Sequence, residues 1–206
     1  MAKSMNAHAK ILRMVQLAFL AALEVVLMLI YIPVGTINLN FGLIPIVIAG
    51  VLFGPGYGAF IGGVSGVVTM VQVLTGQSAF YVFLVATNPV AASILCIVKT
   101  TAAGFLSGLV YKLLMKVSKY QGVNILISAV VCPVVNTGIF ALGMLTIFGS
   151  ALMADPVIST WSTGGLVALV FLALIGVNFF VELAINIVLC PVISKALFFI
   201  RRGERG

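Results

Sequence analysis

Six apolar runs, separated by short polar or turn-forming breaks, extend along the chain. The first spans Ile11 to Ile32 and ends at Pro33-Val34-Gly35, before the polar stretch Thr36 to Asn40. The second, Phe41 to Phe53, is short for a full crossing, and its Pro45 predicts a kinked or re-entrant segment. Gly54-Pro55-Gly56 is a turn, and the third run covers Tyr57 to Leu74. After the loop Thr75 to Ser78 comes a further apolar piece, Ala79 to Thr87. Asn88-Pro89 opens the fourth run, since proline is tolerated in the first turn of a helix, and this run continues to Met115. The fifth runs from Val123 to Phe148. A loop with Asp155-Pro156, Trp161 and Gly164-Gly165 leads to the sixth, Leu166 to Ile200. The predicted helices are therefore about 11–32, 41–54, 57–74, 88–115, 123–148 and 166–200.

Composition turns these runs into membrane helices. Of 206 residues, 63% are hydrophobic and only 7% charged, and the mean hydropathy is +1.30. A soluble domain carries about a quarter charged residues. A soluble enzyme, a disordered tail and a secreted disulfide scaffold are excluded. The expectation is an all-α membrane protein, one transmembrane domain over residues 1–206 built as a bundle of six transmembrane helices. The first apolar run is long and lacks a small-residue cleavage site, so no cleavable signal peptide is expected.

The net charge of +7 is a topology signal rather than a nucleic-acid footprint. Lys3, Lys10 and Arg13 precede the first helix; Lys112, Lys116 and Lys119 lie between the fourth and fifth; Lys195, Arg201, Arg202 and Arg205 end the sixth. With six crossings all ten fall on one side, and five crossings would divide them. Both termini are thus expected in the cytoplasm, with loops 34–40, 75–87 and 149–165 facing outward. Cys96, Cys132 and Cys190, an odd number inside apolar runs, are expected to be free buried thiols.

Several residues are candidates for chemistry. Gly54, Gly58, Gly62 and Gly66 recur every four residues, which places a stripe without side chains on one helix face and favours close helix packing over ligand contact. Ala18 and Ala22 form a similar small-xxx-small pair that faces either another helix of this chain or a partner. Glu24, Lys99 and Glu182 sit well inside apolar runs, where an unpaired charge costs at least about 2.5–3.5 kcal/mol. Glu24 and Lys99 lie each about 16 Å from their helix ends, so an ion pair between them competes with a substrate-anion role for Lys99. Asn88, Asn136, Thr137, Asn178 and Asn186 add polar groups, and Asn178, Glu182 and Asn186 share a helix face. Together with Lys99 they outline a cavity for a small polar molecule.

Enzyme readings are weaker. Gly63-Val64-Ser65-Gly66 fits the GxSG of rhomboid-type proteases, but the only histidine, His8, is in the N-terminal tail. There is no Walker A loop and no Cys/His cluster for a metal, and no cofactor is expected. An intramembrane enzyme and a self-sufficient secondary carrier of a small polar solute stand as alternatives to a binding subunit.

Over nearly its whole length the chain resembles the substrate-binding S components of energy-coupling factor (ECF) vitamin transporters. The resemblance rests on Ala18 and Ala22, the run from Ile37 to Pro55 with its glycine stripe, and Asn88-Pro89. It continues through Leu95-Cys96, Lys99 and Gly104, then Asn136-Thr137, and Asn178, Glu182, Asn186 and Pro191. The pantothenate-type branch is most similar, with Val98-Lys99 where its members tend to show Pro-Arg; lysine keeps the charge and loses the bidentate fork. The resemblance implies a prokaryotic plasma-membrane subunit, not an enzyme, that binds a vitamin from outside, with pantothenate the leading substrate. Folate, nicotinate, riboflavin and a pyrimidine precursor stay open. It implies Lys99 for the substrate anion and Asn88, Asn136, Asn178 and Glu182 for polar contacts. Asn38 and Asn40 fall in an outer lid, and Ala18 and Ala22 in the docking face for a membrane-embedded T component driven by two cytoplasmic ATPases.

Overall fold

The apolar runs fold as helices, seen in a computed structural model that describes residues 7–30, 32–34, 37–39 and 41–203, with side chains described for 10–30 and 41–196. Five helical stretches are long and apolar enough to cross a membrane: Lys10–Leu29, Pro55–Leu74, Pro89–Val117, Gln121–Thr146 and Gly165–Ala196. They belong to α1 (Ala7–Leu29), α3 (Pro55–Leu74), α5 (Pro89–Val117), α6 (Gln121–Thr146) and the final helical run. Their outer faces carry large exposed apolar side chains such as Met14, Phe19, Phe60 and Leu172, as lipid contact requires.

The second apolar run becomes α2 (Leu43–Phe53), which is buried from Leu43 to Val51. Eleven residues rise only about 17 Å, short of the ~30 Å hydrocarbon core. Pro45 lies in its first turn, where no N–H is needed, so it begins the helix. α2 sits at the centre of one core cluster, with Ile46, Val47 and Ile48 against Ile61 of α3, Ala103 of α5, Ile125 of α6 and Cys190. Gly54 joins α2 to α3 with φ +110°, a conformation that favours glycine.

The glycine stripe explains how α3 meets α5. A Cβ on Gly58 would strike the Gly104 carbonyl, one on Gly62 the Thr100 carbonyl, and one on Gly66 would lie 2.6 Å from Ile97 Cα. Gly50 of α2 meets Gly108 in the same way, with 3.0 Å from an added Cβ to its Cα. From Gly58 to Gly66 the stripe is a helix–helix contact, as its spacing predicts, whereas Gly54 serves the turn and meets no helix. α1 is tied to α3 by Gln72 Nε2, which donates to the Met28 carbonyl at 2.8 Å. The Arg13 guanidinium lies 5.6 Å over the Tyr57 ring. α5 and α6 are tied by Ser128 Oγ donating to the Ser107 carbonyl at 2.8 Å.

Three segments depart from the sequence expectation. The 34–40 loop region is not wholly irregular: β1 (Ile32–Val34) and β2 (Ile37–Leu39) pair antiparallel, with Pro33 opposite Asn38, so the all-α expectation holds apart from this hairpin. Half of its strand residues, Ile32, Val34 and Ile37, are β-branched, which suits extended backbone. Residues 79–87 form a short helix, α4 (Ala79–Thr87), begun by Ser78 Oγ accepting from the Tyr81 N–H at 3.2 Å. The sixth run is three pieces rather than one helix: α8 (Gly165–Ala168), a π-helical turn over Leu169–Ile175, and α9 (Gly176–Gly203). At the junction the Gly176 N–H donates to the Phe171 carbonyl five residues back. With α7 (Gly149–Ala154) these pieces close a second core cluster, in which Phe80, Met144, Phe148, Leu152 and Leu169 are fully buried. All three cysteines are free and buried.

Candidate functional site

A polar cavity of about 80 Å³ lies inside the bundle. Its walls are the C-terminal parts of α1, α3 and α6 and the N-terminal parts of α5 and α9, and α4 closes one side. The basic residues Lys10, Arg13, Lys112, Lys116 and Lys195 occupy the opposite helix ends. The cavity therefore belongs to the half of the bundle remote from them.

Lys99 projects from α5 into this cavity, with Nζ 5.2 Å from the centre of the Phe140 ring on α6. An ammonium over an aromatic face is attracted by the ring quadrupole. Glu182 of α9 faces the same space, within electrostatic reach of Lys99. One turn earlier Asn178 donates from Nδ2 to Glu182 Oε1 at 3.2 Å. That contact turns Asn178 Oδ1 away, where it is buried and, among the described residues, without a partner, as is Asn136 Oδ1 on α6. Two hydroxyls in the wall are already engaged: Thr69 Oγ1 donates to the Ser65 carbonyl and Thr100 Oγ1 to the Cys96 carbonyl, both at 3.0 Å. Aromatic and apolar groups complete the lining, among them Phe80 and Tyr81 of α4, Leu174 of the π turn, and Phe179.

Lys99, Asn136, Thr137, Asn178 and Glu182, far apart in sequence, are thus neighbours of one space. Asn186 is not: its Nδ2 donates to the Glu182 carbonyl at 2.8 Å and its Oδ1 accepts from Cys190 Sγ at 3.3 Å. Asn88 stands apart, exposed as the N-cap of α5, with Oδ1 accepting from the Ala91 N–H at 3.0 Å. Asn38 belongs to β2, and its side chain, like all of Asn40, lies outside the described residues. The GxSG serine, Ser65, is buried with Oγ 3.8 Å from Met28 Sδ.

Glu24 does not reach Lys99; among the described residues no ion pair joins them. It is fully buried beside Met28 and the Ser65 hydroxyl, and among the described residues neither oxygen has a hydrogen bond of good geometry. Gly42 makes room for it, because a Cβ there would lie 2.7 Å from Glu24 Oε1. Sequence reasoning missed the α4 aromatics and Phe140, since an aromatic residue inside an apolar run carries no signal of which way it faces.

A second feature is on the outside. Ala18 and Ala22 are exposed on α1. Beside them an apolar groove of about 640 Å³ runs between α1 and α9, lined by Phe19, Leu23 and Leu27 of α1 and by Leu189 and Ile193 of α9, with Ile44 and Ile48 of α2 at its base.

A bundle of apolar helices around a small polar chamber is the architecture of a membrane solute-binding protein, and the sequence match agrees. The family model for the ECF transporter substrate-specific component covers residues 12–194. The chain belongs to that family. It is therefore a substrate-specific subunit of an ECF transporter and a membrane protein, and such S components work with T and ATPase modules in the membrane. No curated protein sequence matches the chain. The matched region includes the residues that line the cavity and the exposed alanine pair.

Proposed function

We propose that this S component binds a small carboxylate-bearing vitamin, pantothenate first among them, from the outer side of a prokaryotic plasma membrane. It then delivers that vitamin through a T component and two cytoplasmic ATPases. The observation that carries the reading is the cavity with Lys99 at its wall, in the half of the bundle remote from the basic helix ends. By the positive-inside rule those ends are cytoplasmic, so the cavity opens outward. In this reading both termini are cytoplasmic and α2 counts as a sixth, short crossing.

Lys99 takes the vitamin carboxylate, and Asn136, Asn178 and Glu182 make the polar contacts. Asn88 contributes by starting α5, the helix that carries Lys99. Asn38 and Asn40 belong to the outer lid. A cavity of about 80 Å³ is smaller than the ~300–1,000 Å³ of ordinary ligand pockets. A vitamin therefore enters only when the walls move, and the short α4 and the π turn are the wall segments with least helix to hold them. The exposed pair Ala18 and Ala22, next to the apolar groove, supports α1 as the docking face for the T component.

Calorimetric titration of the detergent-purified protein with a vitamin panel, beside Lys99→Ala, tests the proposal. Tight pantothenate binding that falls about 10- to 100-fold in the variant is expected, the worth of a hydrogen bond to a charged group. Tight binding of a ligand without any anionic group, unaffected by the variant, would overturn the role of Lys99 and the pantothenate assignment together.

A further inference from the structure

Hydrogen-bonding capacity in the cavity is unbalanced. Lys99 is the cation of its wall and can satisfy an anion. Two amide oxygens of its lining residues, Asn136 Oδ1 and Asn178 Oδ1, are buried and have no partner among the described residues. The orientation of Asn178 is dictated by its neighbour: turning the amide over would set Oδ1 against the Glu182 carboxylate, a contact between two acceptors. Of the hydroxyls in the wall, Thr69 and Thr100 give their hydrogens to carbonyls of their own helices, and those of Tyr81 and Thr137 reach neither amide oxygen. Buried acceptors without donors are unfavourable, and native structures leave few of them. A bound molecule that brings N–H or O–H groups removes the deficit at both.

We infer that the ligand of this S component carries at least two hydrogen-bond donors besides its anionic group, received by Asn136 Oδ1 and Asn178 Oδ1 while Lys99 receives the anion. The inference rests on the proposed role of the cavity and sharpens it to a substrate class. A heteroaromatic acid with no further donor, such as nicotinate, satisfies Lys99 and leaves both amides unpaired. Pantothenate, with two hydroxyls and an amide N–H, satisfies all three. A zwitterion whose ammonium supplies the donors shares the required chemistry, with Glu182 as an added attraction.

The test compares ligands on the unaltered full-length protein in detergent. The probes are pantothenate, its di-O-methyl ether (same carboxylate, no hydroxyl donors), nicotinate, and lysine as a zwitterion. Pantothenate is expected to bind at least about tenfold more tightly than its ether, which keeps only the amide N–H, and than nicotinate, which has no donor, since each unmet buried acceptor forfeits about one hydrogen bond. A preference for pantothenate over lysine identifies hydroxyl or amide donors, and the reverse identifies an ammonium; either supports the donor requirement. Asn178→Leu is expected to weaken the donor-bearing ligand about tenfold more than it weakens nicotinate, a split that general damage to the fold would not produce. Equal affinity for the ether and its parent, or for nicotinate, overturns the inference and leaves the anion-binding reading intact. No binding of any probe by a protein that melts cooperatively overturns both.

Discussion

Glu24 and Lys99 both place an ionisable group among apolar helices, and they are accommodated differently. Lys99 faces a polar cavity and an aromatic ring, with Glu182 near by, so its charge is available to a ligand. Glu24 is enclosed by protein, and among the described residues no cation stands beside it. A buried carboxylate without a cation gains nothing from its charge, so removing that charge should do no harm. Glu24→Gln, which keeps the shape, is expected to leave the melting temperature in detergent unchanged or raised. A loss of about 3 kcal/mol or more would mean that the carboxylate holds a cationic partner. Glu24 also shows what sequence alone leaves undecided. Equal distances from the helix ends made a pair with Lys99 reasonable, but rotation about the helix axis decides which groups meet. That rotation is set by packing, here by Gln72 on the Met28 carbonyl and by the space over Gly42.

Among elements, the α3–α5 contact separates adjacent glycines by role. Gly62 faces the α5 backbone at Thr100, whereas the nearest neighbour of a Cβ on Gly63 is Thr101 Oγ1 at 3.7 Å. Gly62→Ala is expected to destabilise the protein by about 1–3 kcal/mol, because backbone cannot step aside. Gly63→Ala is expected to be neutral or stabilising by up to about 1 kcal/mol through helix propensity. Thermal melts of the two variants check this, and equal behaviour would refute the packing account. The exposed pair on α1 should respond in the opposite sense to Gly62. Ala18→Leu or Ala22→Leu is expected to retain the fold and ligand affinity yet block uptake in cells with the whole transporter; loss of affinity would remove the docking role. The glycine stripe and alanine pair were legible because a spacing of four specifies one helix face. The π turn was not, since uniform hydrophobicity conceals where a helix breaks when no proline or charge marks it; at the hairpin and α4 Pro33 and Asn88-Pro89 marked the breaks but not the shape of the short segments beside them. Asn88 illustrates a different limit: Asn-Pro signals a helix start, and the side chain is engaged in making that start.

Taken whole, the bundle has a basic end and a cavity end. The apolar runs and charge clusters were enough to establish a membrane bundle with its basic residues on one side. The number of crossings was harder to read, because α2 is as apolar as its neighbours yet too short to span alone. Six crossings put Gln77 and Lys119 on opposite sides of the membrane. In a variant whose three buried cysteines are replaced, Gln77→Cys is expected to react with a membrane-impermeant maleimide on intact cells, and Lys119→Cys only after permeabilisation. Labelling of both from outside would contradict the topology. The most direct test of the central claim, a binding subunit that depends on partners to transport, is uptake of bound vitamin into proteoliposomes with and without a T component and two ATPases. The account predicts saturable ligand binding by this chain alone and uptake only when the partners and ATP are present. Uptake by this chain alone, driven by an ion gradient, would contradict it.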